Sequence, residues 1–232
     1  MKIKIYGDGA DIEVMKRQHL SNAVDGFTTN PTLMKKVGIT NYLEFAREAL
    51  DAITDLSISF EVFSDELDEM KAQALTLNEL GDNVWVKIPV TNTKGESTAN
   101  LVKELTQQGV KVNVTAIFTL DQVQTVYDSI DSNTPSIVSV FAGRIANAGI
   151  DPEPLMKEAV EICSPKNLIE VLWASPREAF NIIQAERVGC HIITVTDDLI
   201  KASKTFGKDL DEFSLETVKM FYDDALSSGF KI

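Results

Sequence analysis

Eight times along this chain a short β-branched run gives way to a turn and then to a longer segment with helical periodicity, and this recurrence restricts the fold more than any other feature. The runs are Ile3–Gly7, Val24–Thr28, Leu56–Val62, Val84–Ile88, Val110–Thr115, Ser136–Phe141, Asn167–Ala174 and His191–Val195. Helices are predicted near Ile12–Ser21, Tyr42–Ile53, Asp65–Leu80, Ser97–Gln108, Leu120–Ser129, Pro152–Ile162, Pro176–Val188 and Asp197–Thr205, with a last one at Ser214–Ser228. After the third run, Ser64 suits an N-cap and Asp65, Glu66 and Asp68 suit the positive end of a helix. Leu67, Met70, Ala74 and Leu77 then form one apolar stripe that must pack on a sheet. The unit count favours a closed (β/α)8 TIM barrel, because no Gly-x-Gly-x-x-Gly turn follows the first run; an open doubly wound sheet is the alternative. A length of 232 residues fits one such domain over 1–232, and no linker, low-complexity tract or short repeat marks a boundary.

Side chains alternate across a strand, so in a barrel one face meets the helices and the other fills the interior. In the fourth run Val84, Val86 and Ile88 share the apolar face, which aims Trp85 and Lys87 inward. By the same alternation Asp8, Glu61, Asn113, Thr115 and Ser139 converge with Lys87 near the C-terminal mouth, where barrel active sites gather. A partly desolvated lysine amine is a nucleophile able to form a Schiff base with a carbonyl, and carboxylates beside it can move protons. The chemistry suggested is carbon–carbon bond making or breaking with the iminium as electron sink, without a cofactor. Each residue singly also has a structural reading: Lys87 and Asp8 as a lining ion pair, Glu61 as a loop cap, the polar residues as satisfied barrel lining.

The formal charge of −13 disfavours nucleic acid and anionic membrane as partners, so an anionic ligand must find a local basic pocket. Arg144 and Arg177 follow the sixth and seventh runs, where barrels commonly hold phosphate, although either arginine could instead pair with one of the 35 acids. A phosphorylated substrate is therefore expected. His19, His191, Cys163 and Cys190 lie at unrelated positions and offer no metal-ligand spacing, so no metal is expected. The opening MKIKIYGDGAD lacks a signal-peptide apolar run and no stretch reaches the roughly 18 apolar residues of a membrane span; the expectation is a cytoplasmic protein.

Six ordered segments resemble the transaldolases, particularly the short class that includes the fructose 6-phosphate aldolases. They are Gly7-Asp8, Gly26-Phe-Thr-Thr-Asn-Pro-Thr-Leu33, Val86-Lys-Ile-Pro89, Asn113-Val-Thr115, Ser139-Val-Phe-Ala-Gly-Arg144 and Ala174-Ser-Pro-Arg177. The resemblance implies a class I aldolase-like barrel in which Lys87 is the Schiff-base lysine and Asp8 the acid/base for the substrate C4 hydroxyl. It further implies that Glu61 and Thr115 hold a catalytic water, that Asn30, Asn113 and Ser139 hold the hydroxyls of a dihydroxyacetone unit, and that Arg144, Arg177 and Ser175 grip the phosphate. Glu61 and Phe141 match the transaldolase branch, since the aldolase branch typically carries glutamine and tyrosine there. Val140, Ala146-Asn147 and Thr196-Asp197 depart from the family pattern in the loops.

The activity so implied is transfer of a dihydroxyacetone unit from sedoheptulose 7-phosphate or fructose 6-phosphate to glyceraldehyde 3-phosphate or erythrose 4-phosphate, a pentose phosphate pathway step. A fructose 6-phosphate aldolase and a noncatalytic sugar-phosphate-binding barrel are the alternatives. Leu215, Val218, Phe221, Tyr222 and Leu226 give the last helix more apolar surface than shielding its own barrel requires. By resemblance the chain is expected to form a homo-oligomer, a pentamer or decamer.

Overall fold

The computed structural model describes residues 2–231. Strands β1 (Lys4–Asp8), β2 (Gly26–Thr28), β3 (Ser57–Glu61), β4 (Val84–Pro89), β5 (Val112–Ile117), β6 (Ser136–Val140), β7 (Ile169–Trp173) and β8 (Ile192–Val195) close a barrel in sequence order. Every neighbouring pair is parallel, including β1 with β8. The eight predicted runs are the eight strands, within a few residues at each end, and the open sheet is excluded.

The helix side of the barrel is what the alternation demands: Ile58, Phe60, Val86, Ile88, Val112, Val114, Val138 and Val171 are completely buried. Helices α1 (Ile12–Leu20), α2 (Pro31–Lys36), α3 (Tyr42–Ala52), α4 (Leu67–Asn78), α5 (Ala99–Gln107) and α6 (Leu120–Ser129) follow the first five strands. They are succeeded by α7 (Ala142–Asn147), α8 (Pro152–Cys163), α9 (Phe180–Arg187), α10 (Asp197–Ser203) and α11 (Leu210–Ser228). On α4 the predicted stripe packs inward, with Met70, Ala74 and Leu77 buried.

Inside the barrel Tyr6, Ile137, Leu172, Ala174 and Ile192 form a separate small core, with Trp85 and Phe141 against it. Gly26 makes room for this plug: a Cβ there would lie 2.6 Å from the Tyr6 ring and 2.7 Å from Ser57 Oγ. Leu172, Ala174 and Phe141 of this cluster also line the cavity into which the polar side chains face.

Some helix ends differ from expectation. Ser64 does not cap α4; the N-cap position is Glu66, and the Ser64 hydroxyl instead donates to Glu69 at 2.6 Å. The last helix begins at Leu210, not near residue 214, because Asp209 accepts from the amides of Asp211 and Glu212 and starts the helix a turn earlier. Helices α2 and α7 were not expected from periodicity, being too short to show it. Among the described residues no helix is long and apolar enough to cross a membrane, and no cluster of three His, Cys, Asp or Glu side chains has metal-binding proximity.

Candidate active site

Barrel register sets the site. Glu61 on β3 pairs with Lys87 on β4, and Lys87 pairs with Asn113 on β5, so all three side chains point inward from one level. The Lys87 ammonium is 3.2 Å from Glu61 Oε2 and donates to the Thr29 carbonyl at 3.2 Å, with the whole residue only 6% exposed. A buried ammonium between a carboxylate and a carbonyl is held in one place, and its long stem is packed against the barrel wall.

Asp8 ends β1 across the cavity. Its Oδ1 accepts from the Thr28 hydroxyl at 2.7 Å. Burial pushes the Asp8 carboxyl above the ordinary range, while the Lys87 charge and the Thr28 hydrogen bond pull the other way without cancelling it. A carboxyl whose hold on a proton is strengthened in this way is suited to exchange one with a substrate hydroxyl.

The remaining polar lining is largely pre-oriented. Ser139 donates to Asn113 Oδ1 at 2.6 Å, and the Asn113 amide donates to Ser59 Oγ at 3.1 Å. Asn30 caps α2 by accepting from the Leu33 amide at 3.0 Å, which leaves its own NH2 for a ligand. The Thr115 hydroxyl is buried with no protein partner, a vacancy that suits a water or substrate hydroxyl.

These groups line a cavity of about 450 Å³, bounded by Asp8, Thr28, Asn30, Lys87, Thr115, Ser139, Phe141, Arg144, Leu172, Ala174, Ser175 and Thr194. Glu61 and Asn113 are not in that lining but contact Lys87 and Ser139, which are. A roomier hollow of about 870 Å³ lies outside the barrel, but its lining includes Asp11, Glu13, Glu44 and Glu48, a poor surface for a sugar phosphate.

Positive charge sits at one side of the mouth. Among the described residues arginine forms ion pairs only as Arg17–Asp197 and Arg187–Glu153, so neither Arg144 nor Arg177 is consumed by an acid. Arg144 projects from α7 with its guanidinium 5.2 Å from the centre of the Phe141 ring. Arg177 lies farther out, where its Nε donates to the Gly143 carbonyl at 3.3 Å and to Asn147 Oδ1 at 3.1 Å. It lines a neighbouring hollow with Trp173 and Gln184 rather than the cavity itself.

Two features bring Arg144 and Ser175 together. Gly143 lies so close to the next loop that a Cβ would fall 1.6 Å from the Ser175 carbonyl oxygen. Ser175 itself has φ of 61°, a left-handed backbone that a non-glycine residue adopts only under constraint. Thus ten of the eleven expected site residues meet in or against one cavity, and Arg177 stands at its rim. Thr28 and Thr194 were missed, although the inward alternation of Gly26 with Thr28 and of Ile192 with Thr194 was visible in the sequence.

Comparison with known proteins agrees with this geometry. The sequence model of the family described as Transaldolase/Fructose-6-phosphate aldolase matches residues 5–231. A probable transaldolase of Methanococcus maripaludis (strain C7) is 33% identical over 92% of this chain and 94% of its own length. One from Clostridium kluyveri is 34% identical over 83% of this chain and 86% of its own, and one from Myxococcus xanthus 33% identical over 85% of each. Among solved structures, KGPDC from Streptococcus mutans has a TM-score of 0.58, covering 87% of this chain and 91% of that one at 13% identity, a likeness of fold alone.

Proposed function

This chain belongs to the transaldolase/fructose-6-phosphate aldolase family, and from that premise we propose that it is a transaldolase acting through a Schiff base on Lys87. The observation that carries the reading is the buried Lys87 amine, in contact with the Glu61 carboxylate and facing Asp8 across a cavity that Arg144, without an acidic partner, also lines.

The reaction follows from those positions. Lys87 loses a proton toward Glu61 and its nitrogen adds to the C2 carbonyl of a ketose phosphate. The carbinolamine then expels water, for which Glu61 and the unpartnered Thr115 hydroxyl provide the holding groups. In the iminium, Asp8 takes the C4 hydroxyl proton; the C4–O bond becomes a carbonyl as the C3–C4 electrons flow to the iminium nitrogen. The first aldose phosphate leaves and a three-carbon enamine remains on Lys87.

The enamine C3 attacks the aldehyde of a second aldose phosphate, Asp8 returns the proton to the new C4 oxygen, and water releases the product ketose from Lys87. Asn30, Asn113 and Ser139 hold the dihydroxyacetone hydroxyls, while Arg144, Ser175 and Arg177 take the phosphate. Phe141 offers no hydroxyl to protonate the waiting enamine, which favours transfer over release. No cofactor is needed because the iminium is itself the electron sink.

The substrates so assigned are sedoheptulose 7-phosphate or fructose 6-phosphate with an aldose phosphate acceptor, placing the enzyme in the pentose phosphate pathway and the cytoplasm. We take residues 1–232 as one catalytic unit that assembles as a pentamer or decamer through α11, with neither nucleic acid nor membrane as partner. Borohydride reduction in the presence of fructose 6-phosphate should leave a stable adduct on the wild type and none on Lys87→Met. An adduct on that variant would remove Lys87 from the mechanism.

A further inference from the structure

Asp8 does not stand alone on its wall. Strand β1 lies between β8 and β2, and the hydroxyl of Thr28, the register partner of Asp8, meets that of Thr194, the register partner of Tyr6. Thr28 Oγ1 is 2.7 Å from Asp8 Oδ1 and also in hydrogen-bond contact with Thr194 Oγ1. Both threonines are buried, at 2% and 5% exposure, with Thr194 one inward position above Ile192 and in register with Tyr6, both of the apolar plug. Among the described residues neither hydroxyl has any other side-chain or backbone partner.

Counting protons fixes the direction of this chain. An ionised carboxylate only accepts, and a hydroxyl has one proton to give. Thr28 must spend its proton on Asp8 Oδ1, so the contact between the threonines is made with the Thr194 proton. The order is Thr194 to Thr28 to Asp8, each hydroxyl polarising the next. Asp8 Oδ1 is thereby occupied, while Oδ2 has no donor among the described residues.

We propose that Thr194 is a positioning residue for the aldol step, acting through Thr28 to hold Asp8 so that Oδ2 exchanges the C4 hydroxyl proton. The proposal deepens the transaldolase reading and rests on it. With Oδ1 held by a donor, the proton arriving from substrate goes to Oδ2, and it returns from the same atom to the new alkoxide. The chain favours the anion and so opposes the upward pull of burial on this carboxyl. It also fixes the orientation of the Thr28 hydroxyl, and with it the direction of the one hydrogen bond that Asp8 Oδ1 receives.

If the threonines merely fill space, the near-isosteric valine should leave the proton chemistry as it is. The test is therefore the pH dependence of kcat/KM for fructose 6-phosphate with erythrose 4-phosphate as acceptor, which reports the free enzyme's essential groups. Loss of a donor to the carboxylate raises its pKa, and the base form is lost below that pKa, so the acidic limb must move to higher pH. For Thr28→Val the expected move is about one pH unit, and for Thr194→Val about a third to a half of that, in the same direction.

Thr194→Ser keeps the hydroxyl and should restore the wild-type limb; Thr194→Ala serves in place of valine if the valine variant does not fold. All variants should still give the borohydride-trapped adduct, because Lys87 is untouched. An acidic limb in Thr194→Val that superimposes on wild type or moves to lower pH overturns the proposal, as does failure of the serine variant to restore it. A wild-type protein that gives no adduct at all would instead overturn the transaldolase reading.

Discussion

Asp8 illustrates how one residue trades stability for chemistry. Its folded-state pKa lies above the ordinary carboxyl value because of burial, so between the unfolded and folded values the native state binds more protons than the unfolded chain. Stability contributed by this group therefore falls as pH rises through that window, and at neutral pH the buried charge is a net cost. Asp8→Asn should abolish transfer yet raise the melting temperature at pH 7, with the gain shrinking as pH is lowered. A melting temperature below wild type at pH 7 would show that the Lys87 attraction outweighs burial. Arg144 makes the opposite trade, since its unpaired guanidinium is free for a dianion. Losing one charge-assisted contact costs about 1.5–3 kcal/mol, so Arg144→Ala should raise KM for phosphorylated sugars about ten- to a hundredfold. Steady-state kinetics with free dihydroxyacetone as donor and an unphosphorylated aldehyde as acceptor should show little change, and an equal loss with and without phosphate would rule out a phosphate role.

Among the elements, α7 matters most for the site although it has six residues. It follows β6 with Phe141 at its N-cap and no side-chain cap, and its place is set by the close approach of Gly143 to Ser175. Gly143→Ala would force that approach apart, destabilising the fold by about 1–3 kcal/mol and weakening phosphate binding together. Chemical denaturation is the check; an unchanged midpoint would mean the loop yields freely. The strands were legible because two-residue alternation runs through Val84–Ile88 and its counterparts, and the same alternation aimed Lys87, Asp8 and Glu61 inward. Helix α7 and the strained Ser175 were not, since a six-residue helix has no periodicity to read and a left-handed serine depends on tertiary constraint. Ser64 is not the cap because the helix starts only at Leu67, so the Ser64 oxygen accepts from the Glu66 amide, ahead of the helix. The placement of Arg177 at the rim, on Gly143 and Asn147, is likewise a long-range outcome of two loops meeting.

At the scale of the whole molecule, α11 is the element that its own barrel does not explain. None of its residues is buried, and Leu215, Val218, Phe221, Tyr222 and Leu226 are each more than half exposed, with Phe230 beyond its end also bare. A helix so apolar on its free surface fits a neighbouring subunit better than water, which is the physical basis of the proposed assembly. Replacing Val218 and Phe221 with Asp should lower the mass seen by light scattering while the barrel's circular dichroism is kept. A wild-type monomer, or an unchanged assembly in the variant, would contradict it. The proposed transfer turns on one property, that the three-carbon unit stays on Lys87 until an aldehyde accepts it. Glyceraldehyde 3-phosphate release from fructose 6-phosphate should therefore be sustained only when erythrose 4-phosphate is present, with Lys87→Ala inactive in both cases. Sustained release without the acceptor, accompanied by free dihydroxyacetone, would make the enzyme an aldolase and contradict the reading of Glu61 and Phe141.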